Sequence, residues 1–177
     1  MISNQLKNDF INIVGEDHLI WQNESLKNYQ KNTIVAQRKI KCLVRVQDIL
    51  QLPEILNIAR TQKLKIYPFS TGKNWGYGSM LPVTNDCILI DLSQLKKISH
   101  YDEDLGIVHI QPGVTQQHLF EYLEEKYAPW LVPTTGAGPD CSLLGNALER
   151  GYGLTPYNDH FLAVTKLDVL LPTGEYL

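Results

Sequence analysis

The stretch KIYPFSTGKNWGYG, residues 65–78, runs from a predicted β-strand straight into a loop that is rich in glycine. Three glycines fall within seven residues, and they permit main-chain conformations and close approaches that a side chain would obstruct. Successive main-chain N–H groups can then point into one concavity that binds an anion. The loop adds neutral donors and one positive charge, as a pyrophosphate prefers: Ser70, Thr71, Asn74 and Lys73. It therefore predicts a phosphate site, although by itself an ordinary structural turn explains it equally well.

This loop matches neither of two common nucleotide-binding motifs. No Gly-Lys-Ser or Gly-Lys-Thr follows at the spacing of a P-loop. Aromatic residues stand where a GxGxxG motif would open a helix. Neither of those two nucleotide-binding classes is therefore predicted.

A second segment, SLLGNALERGYG at residues 142–153, predicts a loop that enters a short helix. Ser142 is placed to cap the helix, whose first N–H groups and positive dipole end can face an anion or a carbonyl group. Gly145 allows close approach, and Asn146 offers a donor and an acceptor together. A capped helix that ends at a glycine, with no ligand, is the simpler interpretation of this segment alone.

The rest of the chain alternates between strand-like and helix-like segments, which predicts a mixed α+β fold. Strands are predicted at residues 40–46, 65–69, 87–92, 107–110 and 162–171. Helices are predicted from Leu6 to Val14, after the cap Asp48, from the cap Thr115 to Tyr127, and at 142–150. The predicted apolar faces are Leu56, Ile58 and Ala59 in the second helix and Leu119, Phe120, Leu123 and Tyr127 in the third.

The first part of the chain differs in pattern from the alternating segments after residue 38. The helical spacing of its apolar residues ends at Gly15, and a polar stretch at residues 23–32 has few side chains that a core could bury. We therefore expect an N-terminal helical arm at residues 1–37 and a main domain at residues 38–177.

Composition excludes several classes of protein. The chain has 177 residues, of which 44% are hydrophobic and 20% charged, so it is neither disordered nor fibrous. A net charge of −3 without a block of basic residues argues against nucleic-acid binding. No stretch approaches the length of a membrane span, and the N-terminus does not resemble a secretory signal. The expected location is the cytoplasm.

The three cysteines, Cys42, Cys87 and Cys141, are widely spaced and odd in number, which argues against a disulfide framework. The sequence contains no CxxC or HxxxH spacing, so it does not predict a metal site. Buried or inert thiols are expected, and Cys141, inside a loop of glycine, proline and aspartate, is the one candidate for a reactive thiol.

Three ordered motifs together resemble one family. The strings STGKNWGYG (70–78) and SLLGNALERGYGLTPYNDH (142–160) resemble the flavin-domain motifs of the vanillyl-alcohol oxidase and para-cresol methylhydroxylase flavoproteins. The string IVHIQPGVT (107–115) is similar to the segment between those motifs. The resemblance covers roughly residue 39 to the C-terminus.

The resemblance implies FAD as cofactor, held between two α+β subdomains. The phosphates would lie on the first loop, against Ser70, Thr71, Gly72, Lys73, Asn74 and Gly76. The flavin and ribityl side would lie against Ser142, Gly145, Asn146, Arg150, Gly151 and Gly153.

The family's chemistry is hydride removal from a para-hydroxybenzylic carbon to the flavin. The substrate is bound as a phenolate, and a quinone methide forms that water attacks. Tyrosines of the GYG and TPY positions help to hold the phenolate, which makes Tyr77 and Tyr157 the candidate catalytic residues. A tyrosine hydroxyl can donate a hydrogen bond to an oxyanion without titrating near pH 7. Simple aromatic packing remains the alternative for each.

Three positions depart from the family pattern. The place of an acidic residue beside the flavin holds Ala137, and Asp140 is a displaced substitute, so general base catalysis is in doubt. Asn74 stands near the place where some relatives attach the flavin to a histidine, so no covalent link is expected from this loop. His160 is expected to be a structural donor rather than a base.

The chain ends at Leu177, where the family's flavin domain continues toward a cap over the substrate, so we expect a C-terminally truncated flavin domain. A small aromatic substrate would then bind only once a cap completes the site. A partner chain could supply the missing half, or exposed apolar surface could cause self-association. Two alternatives remain: a non-catalytic remnant or partner subunit of a split enzyme, and a flavoprotein that oxidises 2-hydroxy acids.

Overall fold

The computed structural model describes residues 2–74, 80–153 and 159–177. The helices in these residues are α1 (Asn4–Val14), α2 (Asn23–Leu26), α3 (Leu52–Thr61), α4 (Gln116–Glu125) and α5 (Leu143–Leu148). The strands are β1 (Leu19–Ile20), β2 (Ile40–Arg45), β3 (Lys65–Phe69), β4 (Cys87–Asp91), β5 (Ile98–Asp102) and β6 (Ile107–Ile110). None of these helices combines the length and the apolar character that a bilayer crossing requires.

Four strands form the main sheet, in the order β1-β2-β4-β3. Strands β2 and β3 both run parallel to β4, whereas β1 is antiparallel to β2. Every residue of β4 is buried, as its continuous apolar run predicts. Arg45, Asp91 and Phe69 stand in register at the carboxyl ends of the three parallel strands. The first glycine-bearing loop therefore leaves the sheet at this carboxyl edge, where open α/β sheets commonly bind ligands.

The N-terminal segment belongs to the hydrophobic core, which corrects the expectation of an appended arm. Helix α1 buries Phe10 and Val14 against Val44 and Ile88 of the sheet. Strand β1 extends the sheet by pairing with β2, and Leu26 is buried in a second cluster that also contains β2 and β4 residues. Long-range contacts such as these leave no local pattern in the sequence. The division at residues 37 and 38 stays a prediction.

Thr115 caps α4 as the sequence predicts, and Asp48 caps a 3₁₀ turn (Ile49–Gln51) that leads into α3, but part of the two predicted apolar faces is wrong. Helix α3 buries Ile55 and Ala59, and Ile58 packs partly buried against the same core, whereas Leu56 of the predicted face is not buried. Helix α4 buries Leu119 and Leu123 but ends at Glu125, and Tyr127 has a φ of 53° and is 94% exposed. Phe120 is also exposed, since it lies to one side of the buried stripe.

One strand is missed by the sequence, and one predicted strand is absent from the described residues. Strand β5 pairs antiparallel with β6 as a hairpin that the sequence analysis does not anticipate. Residues 162–171 do not form a strand: a 3₁₀ turn occupies His160–Ala163. Val169 exchanges main-chain hydrogen bonds with Leu177 around the turn at Gly174. Within the described ranges no other strand pairs with this segment, so its alternating pattern has no sheet to join.

Candidate functional site

The two glycine-bearing loops lie against each other. The main-chain N–H of Ser142 donates to Oγ1 of Thr71 over 3.2 Å, although the two residues are 71 positions apart. A Cβ atom added to Gly145 would lie 3.7 Å from Oγ of Ser70. The predicted flavin site requires these two loops to converge. The structure brings Ser70, Thr71, Ser142 and Gly145 together.

A cavity of about 430 Å³ opens beside the first loop at the carboxyl edge of the sheet. Its wall includes hydroxyl donors and both signs of charge: Ser70, Thr71, Lys73, Ser93, Lys96, Asp91 and Asp140. The cavity lining carries two lysines, Lys73 and Lys96, and three carboxylates, of which Asp91 is paired with Arg45.

The first loop presents main-chain donors that have no acceptor in the part of the chain that the structure describes. Among the residues that the structure describes, none accepts a hydrogen bond from the N–H groups of Ser70, Thr71, Gly72 or Lys73. Gly72 has a φ of 66°, and a Cβ there would lie 2.5 Å from Cγ of Met80. A non-glycine residue would therefore be strained as well as crowded. Donors without internal partners on a bare main chain fit a pyrophosphate group.

The second segment behaves differently, because most of its first N–H groups are already bonded. Ser142 donates to Thr71, Leu143 to the carbonyl of Val114, and Gly145 to Oγ of Ser142. The N–H of Asn146 bonds to the carbonyl of Ser142. The expectation of free donors at this helix start is therefore wrong for Ser142, Leu143 and Gly145, whose N–H groups are bonded to Thr71, Val114 and the capping hydroxyl of Ser142. No described residue accepts from the N–H of Leu144.

Ser142 is instead the junction of three segments. Its hydroxyl donates to the carbonyl of Pro112 over 2.7 Å and accepts from Gly145 over 3.1 Å, while its N–H reaches Thr71. It is 4% exposed. The residue thereby joins the first loop, the segment before α4 and helix α5, and it sets the distance between them.

Comparison with known proteins gives this architecture a family. The FAD binding domain family matches residues 40–177. The chain belongs to this family. Its cofactor is FAD, and the resemblance to the vanillyl-alcohol oxidase and para-cresol methylhydroxylase type is confirmed, as is the corresponding fold.

Three relatives define the likeness. The chain is 30% identical to the 1'-carboxy-chondrochloren decarboxylase of Chondromyces crocatus, over 95% of this chain and 31% of that protein. It is 28% identical to the 4-cresol dehydrogenase [hydroxylating] flavoprotein subunit of Pseudomonas putida, over 97% of this chain and 34% of that subunit. A crystal structure of p-cresol methylhydroxylase with substrate bound superposes with a TM-score of 0.93 at 26% identity, and the match covers 98% of this chain and 34% of that chain. The chain thus spans about a third of the length of these relatives.

In this FAD domain the glycines of the second segment serve close packing. A Cβ at Gly151 would overlap the side-chain amide of Asn146, and one at Gly153 would lie 2.5 Å from Nε2 of His160. Oδ1 of Asn146 is hydrogen-bonded to Nδ1 of His160, which joins α5 to the chain beyond it. These contacts account for both glycines without a ligand.

The side chain of Arg150 also contacts residues of the chain beyond α5. Its Nη1 atom lies 3.6 Å from Oδ2 of Asp159, and its guanidinium lies 4.1 Å from the ring centre of Phe161. Its φ of 57° turns the chain out of helix α5. Within the described ranges the side chain has no contact with the first loop, so its role beside the flavin stays a prediction.

Several predicted positions remain outside this geometry. Gly76, Tyr77 and Tyr157 lie outside the described residues. Ala137 offers no carboxylate, whereas the exposed Asp140 borders the FAD domain's cavity together with Ser70.

The three cysteines are buried and unpaired, and burial raises the pKa of the Cys141 thiol, which disfavours its reactive thiolate.

An ion pair at the cavity was not recognised from the sequence. Nε of Arg45 donates to Oδ2 of the buried Asp91 over 2.8 Å, and Nη2 of Arg45 donates to the hydroxyl of Tyr29 over 3.0 Å. Both charges end parallel strands, so a charged residue at the end of an apolar run is the signal that could have located them.

The buried His160 gives the FAD domain a testable pH dependence. The ring is 6% exposed, and burial lowers its pKa below 6.5, against a smaller opposing effect of Asp159. The oxygen Oδ1 of Asn146 can only accept, so the proton of the neutral ring is assigned to Nδ1, and Nε2 has no hydrogen-bond partner among the described residues. Below pH 6.5 the unfolded chain therefore binds this proton more readily than the folded one.

We expect the free energy of unfolding to fall as the pH drops from 6.5 to about 5, and part of that fall to vanish in His160→Gln. Urea titrations at several pH values measure it. His100→Gln, on the exposed side of β5, is the control and should keep the full fall. Equal slopes for His160→Gln and the unmodified protein would contradict the assignment.

Proposed function

We propose that this chain is the FAD-binding portion of an oxidoreductase that transfers a hydride from a para-substituted phenol or aromatic alcohol to FAD. One observation supports it above the others: the N–H groups of Ser70, Thr71, Gly72 and Lys73 have no acceptor among the described residues and lie beside the junction of Thr71 with Ser142. FAD, when bound, supplies the hydride acceptor.

The first loop would hold the pyrophosphate. The N–H groups of Ser70 to Lys73, which have no acceptor among the described residues, supply directional donors, and the ammonium group of Lys73 supplies charge at the cavity wall. Asn74 and Gly76 would complete the loop. The flavin and ribityl side would lie toward the remaining candidates, Ser142, Gly145, Asn146, Arg150, Gly151 and Gly153. For Ser142 and Asn146 the described bonds favour a role in shaping the site over direct binding.

The phenolic substrate is proposed from the relatives, since two of them are named for cresols. Tyr77 and Tyr157 would donate hydrogen bonds to the phenolate oxygen. Asp140, exposed at the cavity wall, is the carboxylate nearest to the role of a base, while Ala137 cannot serve as one. The substrate would bind where a cap domain completes the cavity.

Association with further protein is proposed as well. The similar 4-cresol dehydrogenase chain is named a flavoprotein subunit, and large apolar side chains such as Leu131, Leu148 and Leu162 are exposed here. Contact with the rest of a flavin domain, with a partner chain or with a second copy would cover them.

A second candidate reaction is favoured by a specific finding. The relative at 30% identity is named a decarboxylase, so the same FAD domain also occurs with loss of a carboxyl group. Incubation of the FAD-loaded protein with 4-cresol and with its carboxylated analogue, in the presence of an electron acceptor, separates the two: acceptor reduction by 4-cresol supports the first reaction, and release of CO2 from the carboxylated analogue supports the second.

The FAD site is tested by titration of the protein with FAD, followed by flavin fluorescence. Saturable binding is expected. Thr71→Val should weaken it roughly tenfold, because the buried N–H of Ser142 loses its acceptor and the two loops separate. Thr71→Ser keeps the hydroxyl and should bind like the unmodified protein.

Thr61→Val, at an exposed position that ends α3, is the matched control and should leave the dissociation constant unchanged. Absence of saturable binding by the unmodified protein would overturn the proposal. Unchanged affinity in Thr71→Val would remove the loop junction from it.

A further inference from the structure

Gln116, the first residue of α4, is a buried amide whose side-chain hydrogen bonds all go to one loop. Its Oε1 accepts from the N–H of Thr135 over 3.0 Å, and its Nε2 donates to the carbonyl of Gly138 over 3.0 Å and to Oγ1 of Thr135 over 3.3 Å. The residue is 6% exposed. A buried amide with both of its ends engaged by one segment fixes the position of that segment.

The main chain at the start of α4 holds the same loop. The N–H of Gln116 donates to the carbonyl of Cys141, and that of Gln117 donates to the carbonyl of Pro139, each over 3.0 Å. These are helix-start donors that have no partner within their own helix. The loop from Thr135 to Cys141 is therefore fastened at several points to α4, in addition to its internal hydrogen bonds from Ala137 to Thr135 and from Cys141 to Gly138.

This loop leads directly into the junction of the FAD site. Cys141 is followed by Ser142, whose N–H reaches Thr71 in the pyrophosphate loop, and Asp140 borders the cavity beside Ser70. A continuous set of hydrogen bonds thus runs from Gln116 through the loop to Thr71. Loss of the Gln116 amide would release the loop and, with it, the position of Ser142.

We propose that Gln116 is a positioning residue for FAD, acting through the loop Thr135–Cys141 on the contact between Ser142 and Thr71. The inference rests on the proposed FAD site, and it assigns to that site a residue that does not line the first loop. The side-chain hydrogen bonds of Gln116 to described residues go to Thr135 and Gly138, so its effect on the first loop passes through the loop it holds.

The test replaces Gln116 by leucine, which has a similar size but neither donor nor acceptor, and measures two quantities. The first is the dissociation constant for FAD, which should rise roughly tenfold. The second is the rate at which iodoacetamide modifies Cys141 in the protein without FAD, located by mass spectrometry. Cys141 lies buried on the held loop, so its modification should become roughly tenfold faster, while Cys42 and Cys87 stay as slow as before.

Two controls separate positioning from general loss of stability. Leu123→Ala removes buried side-chain volume from the same helix but none of the loop's hydrogen bonds, so it should lower the melting temperature and leave both quantities unchanged. Gln62→Leu replaces an exposed glutamine beyond the end of α3 and should change neither.

The outcomes are distinguishable. An unmodified protein that does not bind FAD overturns the proposed function. An unmodified protein that binds FAD, with Gln116→Leu binding equally tightly, overturns the role of Gln116. A loss of affinity in Leu123→Ala as large as that in Gln116→Leu would also overturn it, because stability alone would then explain the effect.

Discussion

Replacement of Phe10 by alanine is expected to lower the free energy of unfolding by about 4 kcal/mol. Phe10 is completely buried in the cluster that contains Val44, Ile55 and Ile88. Its removal loses the transfer free energy of a large aromatic side chain and leaves a cavity between α1 and the sheet. Urea or thermal unfolding followed by circular dichroism measures the change, which corresponds to a fall in melting temperature of roughly 10 °C.

Asn12→Ala on the exposed side of the same helix is the control and should stay within about 0.5 kcal/mol of the unmodified protein. The comparison decides between two descriptions of the N-terminal segment. An appended arm would lose its helix without affecting the sheet, and Phe10→Ala would then leave the main transition unchanged. A single core predicts that the main transition itself shifts.

Replacement of Gly113 by alanine should cost roughly 3 kcal/mol, because the added Cβ cannot be accommodated by side-chain movement. It would lie 2.5 Å from the carbonyl oxygen of Ser93 and 2.8 Å from that of Leu92, and both are main-chain atoms. The segment around Gly113 also supports the site, since the carbonyls of Pro112 and Val114 accept from Ser142 and Leu143. FAD binding should weaken together with stability.

Gly145→Ala provides the contrast for this prediction. Its Cβ would make only ordinary contacts, 3.4 Å from Oγ of Ser142, and alanine favours a helix over glycine by roughly 1 kcal/mol. Stability should therefore be kept or slightly improved. Equal loss of stability in Gly113→Ala and Gly145→Ala would show that the main-chain contact at Gly113 is not the cause.

Local signals in the sequence located most of the elements that build the site. The continuous apolar run at β4 predicted a strand buried on both faces, and Thr115 and Ser142 were recognised as helix caps. Each of these signals depends on residues a few positions apart. The failures involve the relation between distant segments: residues 162–171 alternate like a strand, but in the described residues no sheet edge receives them.

The candidate site divides in the same way. Ser70, Thr71 and Lys73 line the cavity, as the loop motif predicts, whereas Asn146, Gly151 and Gly153 form a packed cluster around His160. Gln116 was missed, because the first residue of a predicted helix carries no pattern that distinguishes a buried amide from an exposed one.

The amino-acid order alone was enough to identify a flavin-binding domain of a known family, because glycines, caps and apolar runs act over short distances and recur as motifs. Folding in three dimensions decided which polar groups stay available to a ligand. The N–H of Ser142 looks free in its own segment and is taken by Thr71 from a loop 71 residues away, while the N–H groups of Ser70 to Lys73 keep no acceptor among the described residues. The partner of a main-chain N–H group depends on which distant segments the fold brings together, and local sequence patterns do not specify this.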